Sequence, residues 1–175
     1  CSQNLYEKIL EFGGKPIVWK TGHSLIKDKM KKEDAMLAGE MSGHLFFRDE
    51  WFGFDDAVYS AARLLRFLST QEQDISELLG TNKYISSPEI RVDCSDDKKF
   101  KVVEEVKEIF LKTHPKSITV DGIRVVYPFG WGLIRASNTS PKLILRFEAD
   151  SKQNLQEIES DFKHILSKYS EVGKW

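Results

Sequence analysis

Cysteine is scarce. Cys1 and Cys94 are the only two in 175 residues, and their spacing fits neither a metal-binding motif nor a disulfide framework. They read as reduced thiols of a cytoplasmic protein. No apolar run approaches the ~20 residues of a membrane span, and no signal-peptide pattern opens the chain. Neither charge is in excess: 26 basic against 27 acidic residues leave a formal net charge of −1. Lys27, Lys29, Lys31 and Lys32 form a local basic stretch, but Glu33 and Asp34 follow at once, so there is no arm for nucleic acid. Nucleic acid and membrane are therefore not expected partners. A Gly-rich P-loop, a dinucleotide-binding fingerprint, CxxC and HExxH are all missing. So is an initiator Met; the chain opens on Cys-Ser-Gln-Asn-Leu and runs straight into a helical pattern, as expected for the middle of something larger.

What is present predicts packed structure. Hydrophobic residues make up 41% and charged residues 30%, enough core for one ordinary domain or two small ones. Ser2 followed by Leu5, Ile9, Leu10 and Phe12 predicts a helix ended by Gly13-Gly14. Pro16 to Lys20 is a short β-rich run, and Ser24 to Glu33 reads as a helix with Leu25, Ile26 and Met30 inward. Ala35–Ala38 and Leu45–Phe47 flank Gly39 and Gly43 as a strand–loop–strand. Asp55 is expected to cap a helix carrying Val58, Ala61, Leu65 and Leu68 at three- and four-residue steps. Residues 71–87 turn polar and read as a linker with a short helix at Ile75–Leu79. Beyond it come a strand over Glu89–Cys94 and a helix capped by Ser95-Asp96-Asp97 with Val103, Val106 and Phe110 buried. Strands are expected at Ser117–Asp121, Ile123–Tyr127, Trp131–Ala136 and Lys142–Glu148, then a helix capped by Ser151. Helix and strand alternating, then strands in series between helices, predict an α/β domain followed by an α+β domain with an antiparallel sheet.

Three stretches could carry chemistry. In Gly39-Glu-Met-Ser-Gly-His44 two glycines bracket a carboxylate, a hydroxyl and an imidazole. Glu40 and Ser42 suit the gripping of vicinal sugar hydroxyls, and His44 could bind a phosphate oxygen or move protons near neutral pH. The same residues also suit a plain polar hairpin turn. A metal site from His23, Glu40 and His44 would want a helix at this spacing, and the glycines argue against one, so no metal is assigned to the chain. Thr21-Gly-His-Ser24 with Lys27 forms a strand-to-helix junction that could face an anion or be an ordinary cap. Arg135-Ala-Ser-Asn-Thr-Ser140, between two strands, offers a guanidinium fork, hydroxyls and an amide, as a phosphate loop requires; it could equally be a simple hairpin. Trp51-Phe-Gly-Phe54 reads as core rather than a base-stacking platform.

Lys20-Thr-Gly-His-Ser-Leu-Ile-Lys27, Gly39-Glu-Met-Ser-Gly-His-Leu-Phe-Phe47, Trp51-Phe-Gly-Phe-Asp-Asp56 and Gly132-Leu-Ile-Arg-Ala-Ser-Asn-Thr139 together resemble, in order and spacing, the α-D-phosphohexomutase family of the phosphomannomutase/phosphoglucomutase kind. That resemblance implies a four-domain enzyme in which a phosphoserine and a bisphosphorylated sugar interconvert hexose 1- and 6-phosphates. Residues 1–70 would be its third domain, of α/β/α layers with a mixed sheet lacking the first strand; 88–175 would be its fourth, an antiparallel sheet flanked by two helices. Glu40, Ser42 and Lys27 would bind the sugar, and Arg135, Ser137, Asn138 and Thr139 the phosphate that does not react. His23 and His44 would line the cleft, His44 as general acid/base. The phosphoserine and the Asp-Gly-Asp loop that binds Mg²⁺ would lie in N-terminal domains of the same polypeptide, leaving this chain inactive alone. Glu-Met-Ser resembles the mannose/glucose branch. A phosphoglucosamine mutase, or a sugar-phosphate-binding module without turnover, remains the alternative.

Overall fold

Ser2 starts helix α1 (Gln3–Glu11), its Oγ accepting a hydrogen bond from the Asn4 N–H at 3.1 Å. In this computed structural model, which describes residues 1–80 and 82–175, the chain divides into two units. One gathers Ile17–Asn82 with Cys1; the other joins Ser2–Pro16, and so α1, to Lys83–Trp175. Thr81, inside the expected linker, lies outside the described residues.

The first unit is built around few side chains. Helix α2 (His23–Glu33) buries Ile26 and Met30, four residues apart on one face, against Phe46. Phe46 lies on the second strand of an antiparallel hairpin, β1 (Leu37–Gly39) and β2 (Leu45–Phe47). Leu25, expected inward, is 40% exposed, because it lies about 100° round the helix from Ile26, which faces Phe46. Helix α3 (Ala57–Leu68) is capped by Asp56, whose carboxylate accepts from the Tyr59 N–H, and not by Asp55. It meets the rest of the unit through aromatic contacts: Tyr59 stacks on Trp51 at 4.4 Å, and Arg63 lies over the Phe47 ring while pairing with Asp49. None of its residues is buried; Val58 and Leu65 face solvent. Phe52 and Phe54 are exposed as well, so only Trp51 of that aromatic run packs inward. Pro16 to Lys20 forms no strand; composition favours a strand only where a neighbour supplies ladder partners.

Helix α4 (Ile75–Leu78) precedes β3 (Ile85–Ser86), which belongs to the sheet of the second unit. That sheet adds β4 (Ile90–Asp93), β5 (Ile123–Tyr127), β6 (Gly130–Ala136) and β7 (Lys142–Ala149), with helices α5 (Lys99–Thr113) and α6 (Lys152–Leu166). All its pairings are antiparallel. β6 runs along one edge of β7, β5 continues beyond β6, and β4 and β3 share the other edge of β7 end to end. Leu143, Leu145 and Phe147 alternate onto one face, fully enclosed with Ile123, Ile134, Ile158 and Phe162. Each such side chain contributes roughly 1.5–3 kcal/mol by leaving water. At Gly132 the close approach of α6 excludes any side chain, since a Cβ there would lie 2.4 Å from the Phe162 ring.

The other face carries a polar cluster. The Trp131 indole N–H donates to Glu148 at 2.9 Å, the Gln3 N–H reaches the same carboxylate, and Arg124 stacks over Trp131. Burial lowers the Arg124 guanidinium to about 10, against the pull of Glu148. Ser117–Asp121, expected as a strand, keeps only a bridge between Ile118 and Arg124, because the chain turns back at Gly122 with φ +67°. The Cys94 thiol is buried and pushed up by desolvation. The architecture is thus a small α/β unit followed by an antiparallel sheet with α5 and α6 on one face. No helix among the described residues is long and apolar enough to cross a membrane.

Candidate functional site

The β1–β2 hairpin closes on two backbone bonds: the Glu40 N–H donates to His44 O at 2.9 Å and the Gly43 N–H to Glu40 O at 3.0 Å. Gly43 adopts φ +93°, a conformation that side-chain-bearing residues rarely take, so the turn requires glycine there. This geometry sets Glu40 and His44 on one end of the hairpin. One Glu40 oxygen accepts from the Gly22 N–H at 3.1 Å and the other from the Ser42 hydroxyl at 3.2 Å. The N-terminus of α2 is thus tied to the hairpin by the Glu40 carboxylate. His23, the first residue of α2, meets His44 edge to face with ring centroids 4.4 Å apart.

Asp55 completes the group. Its Oδ2 lies 2.7 Å from His44 Nδ1 and 3.9 Å from His23 Nε2. A carboxylate at Nδ1 orients the His44 ring and directs Nε2 outward, which suits an imidazole that holds or moves a proton. Ser42 is exposed at the tip, and Lys27 is exposed one turn along α2 from His23, on the same side of the helix. The four residues Glu40, Ser42, His23 and His44 are brought together; Lys27 makes no hydrogen bond or ion pair with them.

The β6–β7 turn is shaped by Ser137. This residue is buried; its Oγ accepts from the N–H groups of Thr139 and Ser140 and lies 2.9 Å from the Ser140 hydroxyl. Asn138 and Thr139 stand exposed at the tip, and Arg135 is half-buried on β6, opposite Ile144 on β7. From beneath, buried Lys99 donates to Ser140 O at 2.9 Å and pairs with Asp96, tying the turn to the start of α5. The turn can present a guanidinium, an amide and a hydroxyl to an anion, while Ser137 holds its backbone in shape.

Sequence reasoning missed Asp55 as a partner of His44 and Lys99 as the support of the turn. In the sequence Asp55 reads only as the cap of α3, a place that Asp56 takes. Lys99 was one lysine among several at a helix start. Magnesium, implied by the resemblance, does not fit the donors here. Among the described residues the one group of three or more potential metal ligands is His23, Glu40 and His44, two nitrogens and a single carboxylate. Mg²⁺ takes oxygen ligands in octahedral array.

An α/β unit with a Glu-Met-Ser hairpin, followed by an antiparallel α+β unit with an Arg-Ala-Ser-Asn-Thr turn, defines a paired-domain class that known proteins share. The model for the α/β/α domain III of phosphoglucomutase/phosphomannomutase matches residues 1–84, and that for the C-terminal domain matches residues 89–165. This chain belongs to the phosphoglucomutase/phosphomannomutase family. It is 49% identical to a phosphomannomutase/phosphoglucomutase of Pseudomonas aeruginosa over 167 residues, 95% of this chain and 36% of that protein. Against a phosphoglucomutase of Neisseria gonorrhoeae it is 45% identical, covering 90% of this chain and 35% of the relative. The crystal structure of a phosphoglucomutase/phosphomannomutase family protein from Burkholderia thailandensis superposes with a TM-score of 0.83 at 41% identity, over 96% of this chain and 36% of that one. The chain thus spans about a third of the length of the relatives it matches.

Proposed function

We propose that this chain is the sugar- and phosphate-binding part of a phosphomannomutase/phosphoglucomutase, an isomerase that interconverts hexose 1-phosphate and hexose 6-phosphate. The observation that carries the reading is the Glu40 carboxylate, held between the Gly22 N–H and the Ser42 hydroxyl beside two histidines. Glu40 accepts from vicinal hydroxyls of the sugar, and Ser42 adds a donor or acceptor. His44, oriented by Asp55, moves a proton at the hydroxyl that gains or loses phosphate, with His23 beside it and Lys27 countering phosphate charge. Arg135, Asn138 and Thr139 bind the phosphate that does not react, and the Ser137 hydroxyl joins them by turning from Ser140. The nucleophilic serine and the ligands of magnesium belong, on this reading, to other domains of the same polypeptide. A cytoplasmic location accompanies it, where sugar phosphates and free thiols coexist.

Titrating the 175-residue chain with glucose 1-phosphate or mannose 1-phosphate while following amide resonances tests the binding role. Shifts are expected at residues 39–44 and 135–140 with millimolar affinity, about 4 kcal/mol. Still resonances at both loops would remove the assignment. In a coupled assay with Mg²⁺ and a bisphosphate activator this chain alone should give no turnover; robust turnover would place the transfer chemistry here. In the parent enzyme, Glu40→Ala or Arg135→Ala should lower kcat/KM by roughly 10- to 100-fold through lost charged hydrogen bonds, and His44→Ala should depress kcat more than KM. Comparing mannose, glucose and glucosamine phosphates as substrates separates this reading from a phosphoglucosamine mutase.

A further inference from the structure

A metal site at this hairpin does not require helical spacing. Glu40 and His44 are not on a helix, yet the bond from the Glu40 N–H to His44 O sets them side by side, and the start of α2 adds His23. One ligand atom from each of the three lies within 4.8 Å of the others. We infer that His23, Glu40 and His44 form a three-ligand site for a borderline divalent transition metal, Zn²⁺ above all, with the fourth position open to solvent.

Three features of the site point the same way. The donor set is two imidazoles and one carboxylate, the combination that leaves Zn²⁺ with an exchangeable position. Ligands at Zn²⁺ distances sit about 3.4 Å apart in tetrahedral array, so the donors must close by roughly an ångström. His23 is exposed, and Glu40 and His44 are half-buried, so side-chain rotation supplies that movement. The second feature is Asp55. A ligating histidine commonly gives its other ring nitrogen to a carboxylate, which orients the ring and makes it a better donor, and Asp55 occupies His44 Nδ1 in this way at 2.7 Å. The third is the anchoring of Glu40: the bond from the Gly22 N–H holds one oxygen, while the other is restrained only by the Ser42 hydroxyl. A bound ion takes the atoms that Glu40 and His44 would offer a sugar, so metal and sugar phosphate exclude one another. Binding of the ion itself does not depend on the sugar reading.

The test uses the metal-stripped 175-residue chain carrying Cys1→Ser, which removes an exposed thiol able to chelate beside the terminal amine. Calorimetric titration with ZnCl₂ should give one ion per chain, and CoCl₂ should give the visible absorption of a low-coordinate site; MgCl₂ should give no heat. Asp55→Asn should weaken Zn²⁺ binding about 10- to 100-fold, and His23→Ala, His44→Ala or Glu40→Gln by more. Circular dichroism checks that each variant is folded. Absence of stoichiometric Zn²⁺ binding overturns the inference. So does an unchanged affinity in the His23→Ala/His44→Ala double variant, which would assign the ion to other residues.

Discussion

Burial and the neighbouring Asp161 carboxylate raise the Tyr127 hydroxyl well above its ordinary value of about 10, while its O–H donates to Asp161 at 3.1 Å. In the unfolded chain the same group titrates near 10, so the unfolded state loses its proton first as pH rises. The stabilisation is therefore complete below pH ~10 and disappears progressively above it, at about 1.4 kcal/mol per pH unit for the one proton. Unfolding midpoints measured from pH 8 to 11 should fall more steeply above pH 10 in the native sequence than in Tyr127→Phe. Parallel curves would dismiss Tyr127 as the source. Lys99 is a second buried handle. Lys99→Met should cost about 1–2 kcal/mol and speed amide exchange across Ser137–Lys142, because the turn loses its support from below. Exchange unchanged in those amides would show that Ser137 shapes the turn unaided. These residues also mark how far the site was legible. Glu40, Ser42 and His44 fall within one short loop, so their proximity followed from the chain itself. The contacts from His44 to Asp55 and from Lys99 to Ser140 cross 11 and 41 positions, and only folding makes them neighbours.

Among the elements, α6 depends most on one small residue. Any Cβ at Gly132 would meet Phe162 at 2.4 Å and Ile158 at 2.8 Å, so Gly132→Ala must lift α6 from β6 or drive both side chains off their rotamers. The expected loss is about 1–3 kcal/mol, read as a lower urea midpoint with the slope kept. A midpoint equal to that of the native sequence would mean that α6 shifts without cost. Elements whose partners are local were legible from sequence: α1 and α6 from their serine caps, β5 and β6 as strand-like runs, and β7 from the alternation of Leu143, Leu145 and Phe147. β3 was missed because two residues carry no period, and it exists only through its pairing with the end of β7. The β-rich run from Pro16 to Lys20 shows the converse: suitable residues without a partner do not make a ladder.

Across the whole molecule the two units differ in what holds them. The first rests on Ile26, Met30 and Phe46 with two partly buried alanines, whereas the second encloses a continuous core from Val92 to Leu166. Hydrogen exchange should therefore be slowest in β6 and β7 and much faster throughout α2, α3 and the β1–β2 hairpin. Equal protection in residues 23–68 and 123–149 would contradict this ranking. The helices, the strands β5 to β7, the capping serines and the family likeness were written in residues close together in the chain, where hydrogen bonding and side-chain period act locally. Which apolar stripe became core was not. α3 and α6 carry similar three- and four-residue patterns, yet α3 buries none of its residues while α6 encloses Ile158 and Phe162. Periodicity shows that a helix has an apolar side. Only the packed structure decides what, if anything, covers that side, because burial depends on groups distant in sequence arriving at the same place.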